Sequence, residues 1–138
     1  MRCRNLSILS AGLAIGIFVT VAPARKPRSI ANGQWGGAHI RMQVADGSAT
    51  IEYDCARGTI TGPLRIDSRG RFSLIGKHVR ERGVQARIED DDYSSAARYT
   101  GWTNGKTMKM TVTLVGAKTE IGSFELTRGS AGRVFKCL

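Results

Sequence analysis

The sequence predicts an all-β protein, an antiparallel up-and-down barrel of about eight short strands closed by one disulfide. Three observations carry that expectation. From about residue 33 onward, apolar and polar residues alternate with period two, and no stretch of useful length keeps a helical period. The 17 glycines are scattered at turn positions rather than gathered before a helix. Only two cysteines, Cys55 and Cys137, stand beyond the first residues.

The elements follow in chain order. Met1 to Asn5 is basic, Leu6 to Val21 is apolar, and Ala22-Pro23-Ala24 fits a small-x-small cleavage site, so residues 1–24 read as an export signal. The alternative is an uncleaved anchor, but the apolar run falls short of the roughly 18 residues a membrane helix needs. No later segment approaches that length, so no membrane span is expected after cleavage. Residues 25–32 form a basic, extended arm, and residues 33–138 form the barrel domain. The expected location is exported, periplasmic or extracellular.

From Trp35 the pattern predicts a first strand with Ile40, Met42 and Val44 on one face and His39, Arg41 and Gln43 on the other. Asp46-Gly47 is a hairpin signal, because Gly accepts positive φ and Asp tolerates it. Ala49, Ile51, Tyr53 and Cys55 then share the apolar side of a second strand. Gly58–Thr61 and Leu64–Asp67 flank a break at Gly62-Pro63. Ser68-Arg69-Gly70 turns into a strand over Arg71–Arg82 with Phe72 and Leu74 inward. Ala97–Thr103 precedes Asn104-Gly105, the strongest hairpin signal in the chain. Met108, Met110, Val112 and Leu114 alternate with polar residues, as do Phe124 and Leu126. Arg128-Gly129-Ser130 turns into a last strand over Arg133–Leu138. A two-sheet sandwich is the competing architecture, but closure would remove the exposed edges.

Loss of the leader removes Cys3, Arg2 and Arg4. An even cysteine count in an exported chain predicts a Cys55–Cys137 disulfide. If the last strand is the eighth, both cysteines lie at one barrel end, within bonding reach. A zinc site using His39 and His78 is arithmetically open but lacks close ligand pairs. The charge of +10 falls to +8, 19 cations against 11 acids. It favours anionic surfaces as loose partners.

Gly33-Gln34-Trp35 at the start of the first strand resembles the G-x-W motif of the lipocalin and calycin barrels, and of exported protease inhibitors built on that barrel. The resemblance implies that Gly33 and Trp35 are structural. It also implies that a basic residue near the end of the last strand packs on the Trp, and Lys136 stands nearest to that role, where the pattern would have Arg. The wider string from Gly33 through Glu52-Tyr53-Asp54-Cys55 to Arg133–Leu138 is similar to small exported bacterial proteins of unassigned function.

Chemistry-bearing patterns are sparse. His39 and His78, the residues that titrate near neutrality, fall on opposite sheet faces and so do not predict one catalytic or metal site. Glu89-Asp90-Asp91-Asp92 lacks the alternate spacing and central Gly of a calcium loop and reads as a solvated connection. No nucleophile–base motif or phosphate-binding loop is present, so no catalytic residue, metal or cofactor is expected, and an enzyme is not favoured. Nucleic acid is disfavoured, because Trp35 and Tyr53 read as core rather than stacking platforms. The expected function is a binding barrel that takes a small apolar or amphipathic ligand near His78, Met108 and Met110. The alternative is a protein-binding module, such as an inhibitor of an exported hydrolase, using the arm or the acidic connection.

Overall fold

The computed structural model describes residues 19–22, 28–81 and 94–137. Most of the expected leader, the first residues of the expected arm and the Glu89–Asp92 run lie outside them. The described residues form eight strands: β1 Gly33–Gly37, β2 Ile40–Ala45, β3 Ser48–Tyr53, β4 Ala56–Ile60, β5 Arg71–Arg80, β6 Ser94–Thr103, β7 Thr107–Leu114 and β8 Glu120–Arg128. Each pairs antiparallel with its sequence neighbours, and β8 returns to β1, so the sheet is a closed barrel. No described helix is long and apolar enough to cross a membrane.

Alternation becomes an inside and an outside. Met42, Val44, Ile51, Tyr53, Tyr99, Met108, Met110, Val112 and Leu126 are buried, whereas Arg71, Lys77, Arg98 and Lys109 on the intervening positions are exposed. The inward row His78–Gly58–Ile51–Met42–Trp35–Arg128 follows the ladders across six strands. It starts near the end of β5 and finishes at the end of β8, opposite ends of the barrel. That drift is the stagger that tilted strands need in order to close.

The strand count agrees with expectation, but the membership differs. The first expected strand is two strands, broken at Ala38-His39, where His39 takes a φ of 64°. Leu64–Asp67 is not a strand. Its Arg65 makes a single bridge to Ser29, with Ile30 N–H donating to Leu64 C=O at 2.9 Å and Ile66 N–H to Arg28 C=O at 3.0 Å. Residues 28–30 therefore lie against 64–66, and Ile30 and Leu64 are buried between the strand ends as a plug. Trp35 lies fully buried at this end, its Nε1–H donating to Ala31 C=O at 3.0 Å.

The final segment is also no strand. Residues 129–137 leave β8 and cross the outside of the barrel as a strap. Gly129 N–H donates to Gln34 C=O, Arg41 Nε–H to Ala131 C=O at 2.7 Å, and Arg133 N–H to Gly37 C=O at 2.9 Å. The strap reaches the β3–β4 turn, where Cys55 N–H donates to Phe135 C=O and Cys137 bonds Cys55, Cα to Cα 4.9 Å. The two cysteines do share one end, by way of the strap and a turn rather than two strand ends. Gly36 makes the crossing possible, because a Cβ there would stand 2.3 Å from the Gly132 nitrogen.

Two outcomes are expected. Trp35→Ala costs about 3–5 kcal/mol as a core aromatic truncation, whereas Trp102→Ala, at an exposed indole, costs under about 1 kcal/mol. Urea midpoints at unchanged slopes measure both. Reduction of Cys55–Cys137, which spans 82 residues, lowers stability by up to about 4 kcal/mol. Intact mass after alkylation with and without reductant counts the thiols, and denaturant titration of the two forms gives the loss.

Candidate functional site

The interior changes character along the barrel axis. Between Trp35 and Leu126 it is apolar and closed. Toward the strap end it carries three polar side chains, Tyr53 from β3, His78 from β5 and Tyr99 from β6. Each is inward because its strand alternates with exposed neighbours. Tyr99 Oη–H donates to Lys77 C=O at 2.7 Å. A Cβ on Gly58 would stand 2.3 Å from that hydroxyl and 3.2 Å from Tyr53 Oη, so the missing side chain on β4 is the space both phenols occupy.

By hydrogen-bond geometry Tyr53 Oη and His78 Nδ1 are buried without a partner; the Tyr99 hydroxyl beside Tyr53 already donates to Lys77 C=O and helps to hold the Tyr53 proton. Their rings are 5.5 Å apart, and the Tyr53 ring is also 5.5 Å from that of Phe124. Burial, and then the neighbouring Tyr99, pushes the Tyr53 phenol well above its ordinary value, so it stays protonated and can donate. Burial, and then the Arg80 charge, holds His78 below its ordinary 6.5, so it stays neutral at pH 7. Such buried orphans are uncommon and call for a partner, either water or a ligand.

Phe124 touches both this polar group and a surface groove. The β1–β8 ladder holds only Trp35–Arg128 and Gly36–Thr127. Beyond it, Phe124, Gly37, Ala38, His39 and Ser123 line an open groove of about 630 Å³. A second groove, of about 680 Å³, runs on along the strap past Ala131, Arg133 and Phe135. The Phe124 ring thus lies against Tyr53, and the half-buried residue also borders the outer groove.

The expected ligand residues do not form one cluster. Met110 stands opposite Phe124 and so lies one ring from Tyr53. Met108 faces Thr103 and Leu126, whereas His78 faces Ser95, eight residues away along β6, so Met108 belongs to the core toward the Trp35 end. Lys136 is not beside Trp35. It stands 3.9 Å from Glu52 and 3.8 Å from Glu81 at the strap end. The cation opposite Trp35 is Arg128, at the end of β8, with Nη2–H donating to Asn32 C=O at 2.9 Å. Reasoning from sequence overlooked it by taking 133–138 for the last strand. It also overlooked Tyr53 and Phe124 as chamber walls.

His39 is exposed, and its Nδ1 meets Asp54 Oδ2 at 2.5 Å. Asp54 also accepts from Phe135 N–H at 2.8 Å. That bond first, and His39 second, hold its carboxyl below the ordinary range. The pair staples the β1–β2 turn to the β3–β4 turn and the strap. Among the described residues no three His, Cys, Asp or Glu side chains gather as a metal site.

Compared with known proteins, the chain matches no family model, no curated protein and no solved structure. The chamber must therefore be interpreted from its own chemistry.

That chemistry predicts a pH dependence. A His held below its unfolded value contributes stability that is fully present above about pH 6.5 and declines as pH falls toward the folded value. Between pH 6.5 and 5 the urea midpoint of the wild type falls, and in His78→Gln that part of the fall disappears.

Proposed function

We propose that the protein is an exported binding barrel that takes a small amphipathic molecule through the β1–β8 opening. The polar end of the ligand sits between Tyr53 Oη and His78 Nδ1, and its apolar body lies against Phe124 and Met110. The observation that supports this reading is the pair of buried, unpartnered polar atoms joined through contacting rings to a groove at the surface. A protonated phenol and a neutral imidazole suit an uncharged head group, such as a hydroxyl or amide, better than a carboxylate. The apolar walls supply affinity and the two polar atoms supply orientation.

Titration with an uncharged naphthylamine dye tests the reading. Saturable binding of about one dye per chain is expected, with little dependence on salt, because burial rather than screened charge drives it. Tyr53→Phe weakens binding about fivefold, the equivalent of roughly 1 kcal/mol for one neutral hydrogen bond. Met110→Trp fills the space beneath Phe124 and abolishes binding while the protein stays folded. Absence of saturable binding across a panel of uncharged amphiphiles, or full binding by Met110→Trp, overturns the proposal.

A further inference from the structure

At the plugged end, on the outside of the barrel, Trp102 presents an exposed indole. It occupies an outward position on β6 because Tyr99, Gly101 and Thr103 on that strand follow the inward alternation through a twisted stretch beside β5. The outward row is Arg71–Trp102–Lys109–Glu125, so a cation flanks the indole on either side. The indole also walls an open groove of about 560 Å³, whose other side is built by Arg28, Ser68, Arg69 and Gly70 from the plug. A Cβ on Gly70 would stand 3.5 Å from Trp102 Nε1, so the ring edge lies over that glycine. The Nε1–H has no partner among the described residues.

Charge around the groove is one-sided. Arg28, Arg69, Arg71, Lys106 and Lys109 are exposed there. The neighbouring carboxylates are engaged. Asp67 Oδ1 accepts the N–H groups of Arg69 at 2.8 Å and Arg71 at 2.9 Å, which hold its carboxyl below the ordinary range, and Glu125 pairs with Lys109 at 3.3 Å. The plug fixes the walls, because 28–30 and 64–66 are bonded backbone to backbone.

We infer that this groove binds an acidic polysaccharide, a uronic-acid chain whose sugar face stacks on the Trp102 indole while Arg28 and Arg69 take its carboxylates. Three features choose this occupant. Guanidinium forks match carboxylates in a planar, paired geometry. A single aromatic plane with a free N–H suits a sugar ring, whereas single-strand nucleic-acid sites stack successive bases on several aromatics. The surface is concave, so it admits a chain and turns its indole away from a flat bilayer. The site is separate from the chamber near His78, and its test does not depend on that chamber.

The experiment is a calorimetric titration with a galacturonic-acid oligomer, with tryptophan emission followed in parallel for the chains that keep Trp102. Trp35 is fully buried and Trp102 exposed, so the change in emission reports the groove. Saturable binding that weakens with salt is expected, with a neutral galactose oligomer of equal length binding at least tenfold more weakly. Arg69→Gln weakens binding by about tenfold or more, as loss of one charge-assisted contact implies, and Trp102→Ala, which removes the stacking face and its N–H together, weakens it by about as much. Lys118→Asn, which removes one charge from the exposed β7–β8 turn at the other end, changes affinity less than twofold. Thermal melts of the three variants check that each is folded. The inference is overturned if the acidic oligomer does not saturate or if Lys118→Asn weakens binding as much as Arg69→Gln. It is equally overturned if single-stranded DNA or anionic phospholipid vesicles bind more tightly than the oligomer through Trp102.

Discussion

Closure of the barrel rests on a short seam. β5 and β6 share nine residue pairs, whereas β1 and β8 share two, Trp35–Arg128 and Gly36–Thr127. Two pairs are a weak ladder by themselves, and everything around them adds to the closure. Trp35 fills the barrel end and donates to Ala31, Arg128 reaches Asn32, and the strap leaves β8 to cross over Gly36 and bond to Gly37. The disulfide then fixes the far end of the strap to the β3–β4 turn, so opening the seam would also require displacing a segment tethered at both ends. Seam and strap are one construction.

The same shortness leaves part of β8 without ladder pairs on this side. β1 ends at Gly37 and β2 turns away at His39, leaving β8 from Ser123 to Glu125 without a full partner strand. An unpaired strand edge is a liability that proteins cover. Here the strap crosses over Gly36, and a groove beside it is bordered by the half-buried Phe124. Gly37 still packs against the Glu125 carbonyl, so this edge is close-packed even where no ladder pair forms.

Much of this fold was legible in the sequence, for local reasons. Asp46-Gly47 and Asn104-Gly105 are turns whose chemistry fixes the register of the strands beside them, and both hairpins form as expected. The break at Ala38-His39 was missed, because the first strand was read as uninterrupted, although the sequence carried its signal. Trp35 is at an odd position and Ile40, Met42 and Val44 at even ones, so one uninterrupted strand could not turn all four inward. What was not legible depended on distant partners. Nothing local tells that Arg65 will find Ser29, or that residues 129–137 will lie across the strands rather than join the sheet. Arg128 could be recognised as the partner of Trp35 only once β8 was known to end there. The chamber was half legible for the same reason. Alternation places His78 and Met110 inward, but stagger around a closed sheet decides which inward residues meet, and it brings Tyr53 and Phe124 to them while leaving Met108 below.

The two ends of the barrel therefore differ in kind, and closure explains the difference. At the Trp35 end, the plug occupies the interior with Ile30 and Leu64, so the long cationic side chains of that region have no room inside and stand around the rim. At the strap end the interior carries no buried formal charge, because Tyr53 stays protonated and His78 neutral. Rim charges act through water and are screened beyond about 8–10 Å at ordinary salt. Between the rim and the polar interior lie Trp35, Met42, Ile51, Met108 and Leu126, all essentially without exposure, and the close packing general to such interiors disfavours a second arrangement. Coupling between distant sites needs an element with two states that both can bias. A core of this kind offers none, so the cationic rim outside and the uncharged interior are chemically independent features carried by one small sheet.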